Sequence, residues 1–122
     1  MVFVCDLGFS ALKWVYGEKR GRIISAYRRT HDGQILVGDN ALMTAGSSYL
    51  KTVEDLVHFY PTFVDAAFNA GKVPKETPLI VGLPYGAWAA EKDRPAGVVS
   101  TLTKVLNGSG WPDVRVLPQG LG

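Results

Sequence analysis

Apolar and polar positions alternate in two different rhythms along this chain. Near the amino terminus, Val2-Phe3-Val4-Cys5 are four apolar residues in a row, the mark of a strand buried on both faces. Residues 12–17 predict a second strand, Glu18-Lys19-Arg20-Gly21 a polar turn, and residues 22–28 a third strand, so that the first three form an antiparallel meander. Val37-Gly38-Asp39-Asn40 predicts a strand running into a turn, with Ala41-Leu42-Met43 as a short helical segment and Gly46-Ser47-Ser48 as a break. From Thr52 the rhythm changes. Val53, Leu56, Val57, Tyr60, Val64, Ala67 and Phe68 recur at three- and four-residue spacing and predict a helix over 52–71, with Thr52 as N-cap and Gly71 as C-cap. Pro61 falls inside it, where a lost hydrogen bond costs about 3 kcal/mol and predicts a kink or a split. Pro78 to Pro84 is a short apolar strand, Glu91 to Asn107 a second helix, and Val114 to Leu117 a last strand ended by Pro118-Gln119-Gly120. A strand, a helix and another apolar strand predict a crossover onto a parallel neighbour, here the first strand.

With 122 residues and 47% apolar composition, the chain is one domain with enough material for a core. A net charge of +2 is too mild to argue for direct nucleic-acid binding. The charge is unevenly spread: residues 1–31 carry six basic and two acidic residues, the remainder seven basic and nine acidic. That basic segment fits a solvated hairpin or a contact with an acidic partner. Cys5 is the only cysteine and lies in an apolar strand, so no disulfide forms within the chain and a reducing cytoplasm is expected. No apolar run approaches membrane-span length, and no signal-like leader opens the sequence.

Chemistry concentrates where the first strand ends. Asp6-Leu7-Gly8-Phe9-Ser10-Ala11-Leu12-Lys13 places a carboxylate at a strand end, a small-residue turn next, and a lysine after it. A carboxylate can hold a hydrated magnesium ion, while turn N–H groups and a lysine can hold phosphates. An ordinary hairpin with a solvated lysine carries the same pattern. His31 and His58 stand apart from any carboxylate cluster and read as structural or solvated. Trp14, Trp88 and Trp111 read as packing residues.

The order of elements resembles the ribonuclease-H-like half-domain that actin, sugar-kinase and heat-shock-chaperone ATPases use twice: an α/β unit with a mixed five-stranded sheet and helices on its faces. Asp6 to Lys13 resembles the first phosphate motif of that superfamily. Val37-Gly38-Asp39-Asn40-Ala41 is similar to a Val-Gly-Asp-Glu-Ala stretch of actin-like proteins, with Asn40 in place of the acidic residue. Val81-Gly82-Leu83-Pro84 resembles the Gly-Leu-Pro strand end of the plasmid-segregating ParM/StbA group. Val116-Leu117-Pro118-Gln119 falls where actins carry a water-orienting glutamine. The resemblance implies an N-terminal actin-like ATPase domain over 1–122. Asp6 would stand on the magnesium side, Gly8, Phe9, Ser10, Ala11 and Lys13 on the phosphates, and Gln119 beside the attacking water. ATP and Mg2+ would be cofactors. Self-association into filaments and an adaptor protein–DNA complex would be partners, with plasmid segregation or a bacterial cytoskeleton as the setting. The second phosphate motif and the adenosine-binding glycines have no counterpart, so the resemblance implies a first half whose hydrolysis needs a second. A non-catalytic assembly module of the same fold is the alternative.

Overall fold

The computed structural model describes residues 1–43, 45–91 and 97–119. Eight strands and four helices follow in chain order: β1 (Phe3–Leu7), β2 (Ala11–Tyr16), β3 (Lys19–Ile24), β4 (Ala26–Arg29), β5 (Ile35–Val37), α1 (Asp39–Leu42), β6 (Ser48–Tyr49), α2 (Val53–Gly71), β7 (Leu79–Leu83), α3 (Tyr85–Glu91), α4 (Val98–Gly108) and β8 (Val114–Pro118). Five of the strands form one sheet in the order β3-β2-β1-β7-β8. The β1–β2 and β2–β3 pairs are antiparallel, while β1–β7 and β7–β8 are parallel. The meander and the crossover onto β1 are therefore both present. A small second sheet has the order β5-β4-β6.

Alternation along the strands decides which face is core. Phe3, Cys5 and Leu7 of β1, Leu12 and Trp14 of β2, and Leu79, Val81 and Leu83 of β7 are buried against Leu56, Tyr60, Phe63, Val64 and Ala67 of α2 and Leu102 and Leu106 of α4. The opposite face carries Val4, Asp6, Lys13, Val15, Ile80, Arg115 and Leu117, none of them buried.

Several boundaries differ from the expectation. The turn between β2 and β3 is the two residues Gly17-Glu18, not 18–21, because Gly17 takes φ 63° and closes a tight hairpin in which Tyr16 faces Lys19. Gly21 lies within β3, where the Trp14 ring covers it: an added Cβ would stand 2.4 Å from Nε1 of Trp14. The third strand is two strands. Ser25 breaks it, donating its N–H to Ser10 O (3.0 Å) and accepting from Leu50 N–H (3.0 Å), so that β4 leaves for the second sheet. Helix α2 does not split, and Gly71 is its last helical residue, not its C-cap. Tyr60, Phe63, Val64 and Ala67 are all fully buried around Pro61. Each large apolar side chain so buried stabilises by about 1.5–3 kcal/mol, and together they outweigh one proline. The C-cap is Lys72, left-handed at φ 52°, with Val73 N–H returning to Phe68 O (3.1 Å). The capping box at the other end is present: Thr52 Oγ1 accepts from Asp55 N–H at 3.0 Å, and Asp55 Oδ2 accepts from Thr52 N–H at 3.1 Å.

Strand β6 and helix α3 were not foreseen. The two-residue β6 has too little pattern to read, and Gly86 obscures the seven-residue α3. The helix expected over 91–107 corresponds to α4 from Val98, opened by Gly97 as its N-cap. Residues 92–96 of that expectation, and Gly120 in the expected strand-ending turn, lie outside the described residues.

Candidate functional site

Parallel strands bring their carboxyl ends to one edge of a sheet, and ligands of open α/β sheets gather outside those ends. Here Asp6 of β1 faces Gly82 of β7, Gly82 faces Leu117 of β8, and Leu83 faces Pro118. Gln119 follows directly, its N–H donating to Leu83 O at 2.7 Å and its side-chain Nε2 to Leu7 O at 2.9 Å. Residues 112 positions apart in sequence are joined by that second bond. On the other side of Asp6, Lys13 is its register partner on β2 and is exposed. Asp6, Lys13 and Gln119 thus lie at one place.

The Asp6 carboxyl is half-buried, and its Oδ1 has no hydrogen-bond partner among the described residues. Burial raises its pKa, while the Lys13 charge and the Gln119 carboxamide act in the opposite sense. Gly82 makes room for it. A Cβ there would lie 2.7 Å from Asp6 Oδ1 and 3.2 Å from Gln119 Cγ. A lone buried carboxylate oxygen fits a magnesium ion that keeps most of its waters. No group of three His, Cys, Asp or Glu capable of caging a metal occurs among the described residues.

The turn after β1 is closed by Gly8 N–H donating to Ala11 O at 3.0 Å. A Cβ on Gly8 would meet only Ala11 O, at an ordinary 3.7 Å, so the protein's own atoms do not demand glycine there. Phe9 and Ser10 are exposed at its tip, and Ala11 is buried. The N–H groups of Phe9 and Ser10 have no acceptor among the described residues.

The helical spacing predicts Tyr60 only as part of an apolar face, yet its hydroxyl is the hub beneath the site. It accepts from Leu7 N–H (3.1 Å) and Gly82 N–H (3.1 Å), and lies 2.7 Å from Gly82 O and 3.1 Å from Cys5 O. The β1–β7 pairing ends at Asp6–Gly82, and the hydroxyl serves the backbone groups at that end. Burial and the nearby Asp6 and Cys5 raise its pKa, so it stays a neutral donor and acceptor. No sequence signal marks such a tyrosine, since Tyr fits the helical stripe as well as Phe does. Cys5 is buried, with its thiol pushed up by desolvation, and is no nucleophile. Trp14 and Trp111 are buried, and Trp88 Nε1 donates to Val116 O at 3.2 Å, so all three serve packing.

No protein-family model matches the sequence, and no curated protein does. Among solved structures, the chain superposes on the crystal structure of the apo psk41 ParM protein with a TM-score of 0.67 and 15% identity, over 97% of this chain and 49% of that one. The fold is that of a ParM-like actin half-domain. This chain spans about half the length of the ParM chain it matches. Among the described residues, no helix is long and apolar enough to cross a membrane.

Proposed function

We propose that this chain supplies one half of a magnesium–ATP site in an actin-like, filament-forming ATPase of the plasmid-segregating kind. The observation that carries the reading is the unpartnered Asp6 Oδ1 at the joined ends of β1, β7 and β8, with Lys13 and Gln119 beside it. Asp6 holds the magnesium side through water. The bound ion neutralises phosphate charge, which is its contribution to phosphoryl transfer. The turn Gly8-Phe9-Ser10-Ala11 meets phosphate oxygens through its free N–H groups, and Lys13 adds a mobile positive charge. Gln119 is fixed by its bond to Leu7 O, a pure acceptor, so its nitrogen faces that carbonyl and its oxygen is left to orient a water. A neutral amide positions that water without acting as a strong base.

A second half closes over the nucleotide in this reading, and filament growth and an adaptor protein–DNA complex belong to the closed assembly. Positioning carries phosphoryl transfer, and half a clamp gives little of it. Calorimetric titration of residues 1–122 with magnesium–ATP tests the proposal. Weak, magnesium-dependent binding, negligible turnover and loss of binding in Asp6→Ala are expected. Equal binding by wild type and Asp6→Ala would refute the site, and would favour an assembly module instead.

A further inference from the structure

Ser25 is one of two buried polar or charged residues among the described residues, with 0% of its surface exposed. It sits between β3 and β4, fifteen or more residues beyond the turn that follows β1, yet it holds that turn by two bonds. Its Oγ–H donates to Gly8 O at 2.5 Å, and its backbone N–H donates to Ser10 O at 3.0 Å. Its own carbonyl accepts from Leu50 N–H at 3.0 Å, tying the grip to the residue that follows β6 of the second sheet. A turn that binds an anion through N–H groups must keep its carbonyls off the anion, because a carbonyl oxygen and a phosphate oxygen repel. Both carbonyls flanking Phe9 are engaged by Ser25, while the N–H groups of Phe9 and Ser10 are left without acceptors.

The geometry points to Ser25 as a positioning residue of the phosphate turn: it draws the Gly8 and Ser10 carbonyls into the protein so that the intervening N–H groups are free for phosphate. This rests on the nucleotide reading above and adds a residue to it. The backbone half of the grip belongs to any residue at position 25, but the Gly8 half needs a hydroxyl. Losing one such bond loosens the turn and weakens phosphate binding roughly three- to tenfold, the equivalent of a single hydrogen bond.

The test is an amide-resolved NMR titration of the whole chain with magnesium–ATP, and with magnesium–pyrophosphate as a base-free probe. Wild type, Ser25→Ala, Ser25→Thr and the core variant Leu106→Ala are compared, each with its urea midpoint. Expected are shifts of the Phe9 and Ser10 amides in wild type, weaker binding of both probes in Ser25→Ala, and wild-type affinity in Ser25→Thr. Leu106→Ala, destabilised in α4, keeps wild-type affinity, which separates positioning from stability. Should Ser25→Ala fail to fold, Ser25→Cys takes its place, its thiol being a weaker donor, and the same loss is expected. Wild-type affinity in the hydroxyl-free variant overturns the role of Ser25 and leaves the site standing. Absence of any Phe9 and Ser10 response in wild type overturns the site itself. Equal weakening in Leu106→Ala also overturns the positioning role.

Discussion

Replacing Tyr60 by Phe removes one atom from the centre of the fold. The hydroxyl accepts from two backbone donors, the buried Leu7 N–H and the part-buried Gly82 N–H, and donates to a carbonyl, Gly82 O being nearer at 2.7 Å than Cys5 O at 3.1 Å. A buried N–H left without an acceptor costs about 1–3 kcal/mol. Two of them set the expected loss at roughly 2–6 kcal/mol, a large share of the ~5–15 kcal/mol that holds a domain of this size. Phe keeps the ring in its pocket, so no cavity adds to the loss. The assay is urea unfolding followed by tryptophan fluorescence, since Trp14 and Trp111 are buried and report on the core. A midpoint shift equivalent to 2 kcal/mol or more is expected, with an unchanged slope. A loss below about 1 kcal/mol would mean that β1 and β7 close on each other and pair directly, and that the hydroxyl is not what serves the strand ends beneath Asp6.

Other changes read the site and its frame separately. Burial raises the Asp6 pKa above its unfolded value, so the group favours folding below that unfolded value and this advantage is lost as pH rises through the folded pKa. Asp6→Asn, which does not titrate, is therefore expected to gain on wild type in urea midpoints taken upward from pH 4; a gap that shrinks as pH rises would contradict it. Gly82→Ala puts a Cβ 2.7 Å from Asp6 Oδ1, the mobile end of a side chain, and is expected to displace the carboxylate at small cost in stability while weakening magnesium-dependent binding of ATP. Retained calorimetric affinity in that variant would show that Asp6 is not held where the ion needs it. Pro61→Ala restores a helical N–H in the middle of α2 and is expected to raise stability by roughly 1–3 kcal/mol, read as a higher urea midpoint; a lower one would mean that the proline's fixed φ matters more than the missing bond.

The large elements were legible because burial writes itself into spacing. The apolar runs marked β1 and β7, and the 3–4 stripe with Thr52 marked α2. Asp6 and Gln119 stood out as residue types at strand ends, which the parallel order of β1, β7 and β8 brings together, while Lys13 lies within β2 and faces Asp6 through the antiparallel β1–β2 pairing. Position 25 was not legible. Inside the run Ile23-Ile24-Ser25-Ala26-Tyr27, a serine reads as one polar step in a strand, and nothing local says that its N–H and hydroxyl belong to a turn fifteen residues earlier. Gly82 and Tyr60 were hidden for the same reason: each is set by a partner across the fold, the Asp6 carboxylate in one case and the ends of two strands in the other. That α2 continues across Pro61 without splitting was not legible, because propensity is a local quantity and the burial of its neighbours is not.

The most direct test of the site is paramagnetic. Manganese replaces magnesium on ATP and broadens the amide signals of residues near the metal. Added in small amounts to the whole chain, manganese–ATP is expected to broaden Asp6, the turn from Gly8 to Ala11, Gly82 and Gln119 together, and to lose that effect in Asp6→Ala. Broadening centred instead on the apolar groove of Val53, Val57, Val98 and Val105 between α2 and α4, or none at any ATP concentration, would contradict the claim that this half-domain carries the magnesium side of a nucleotide site.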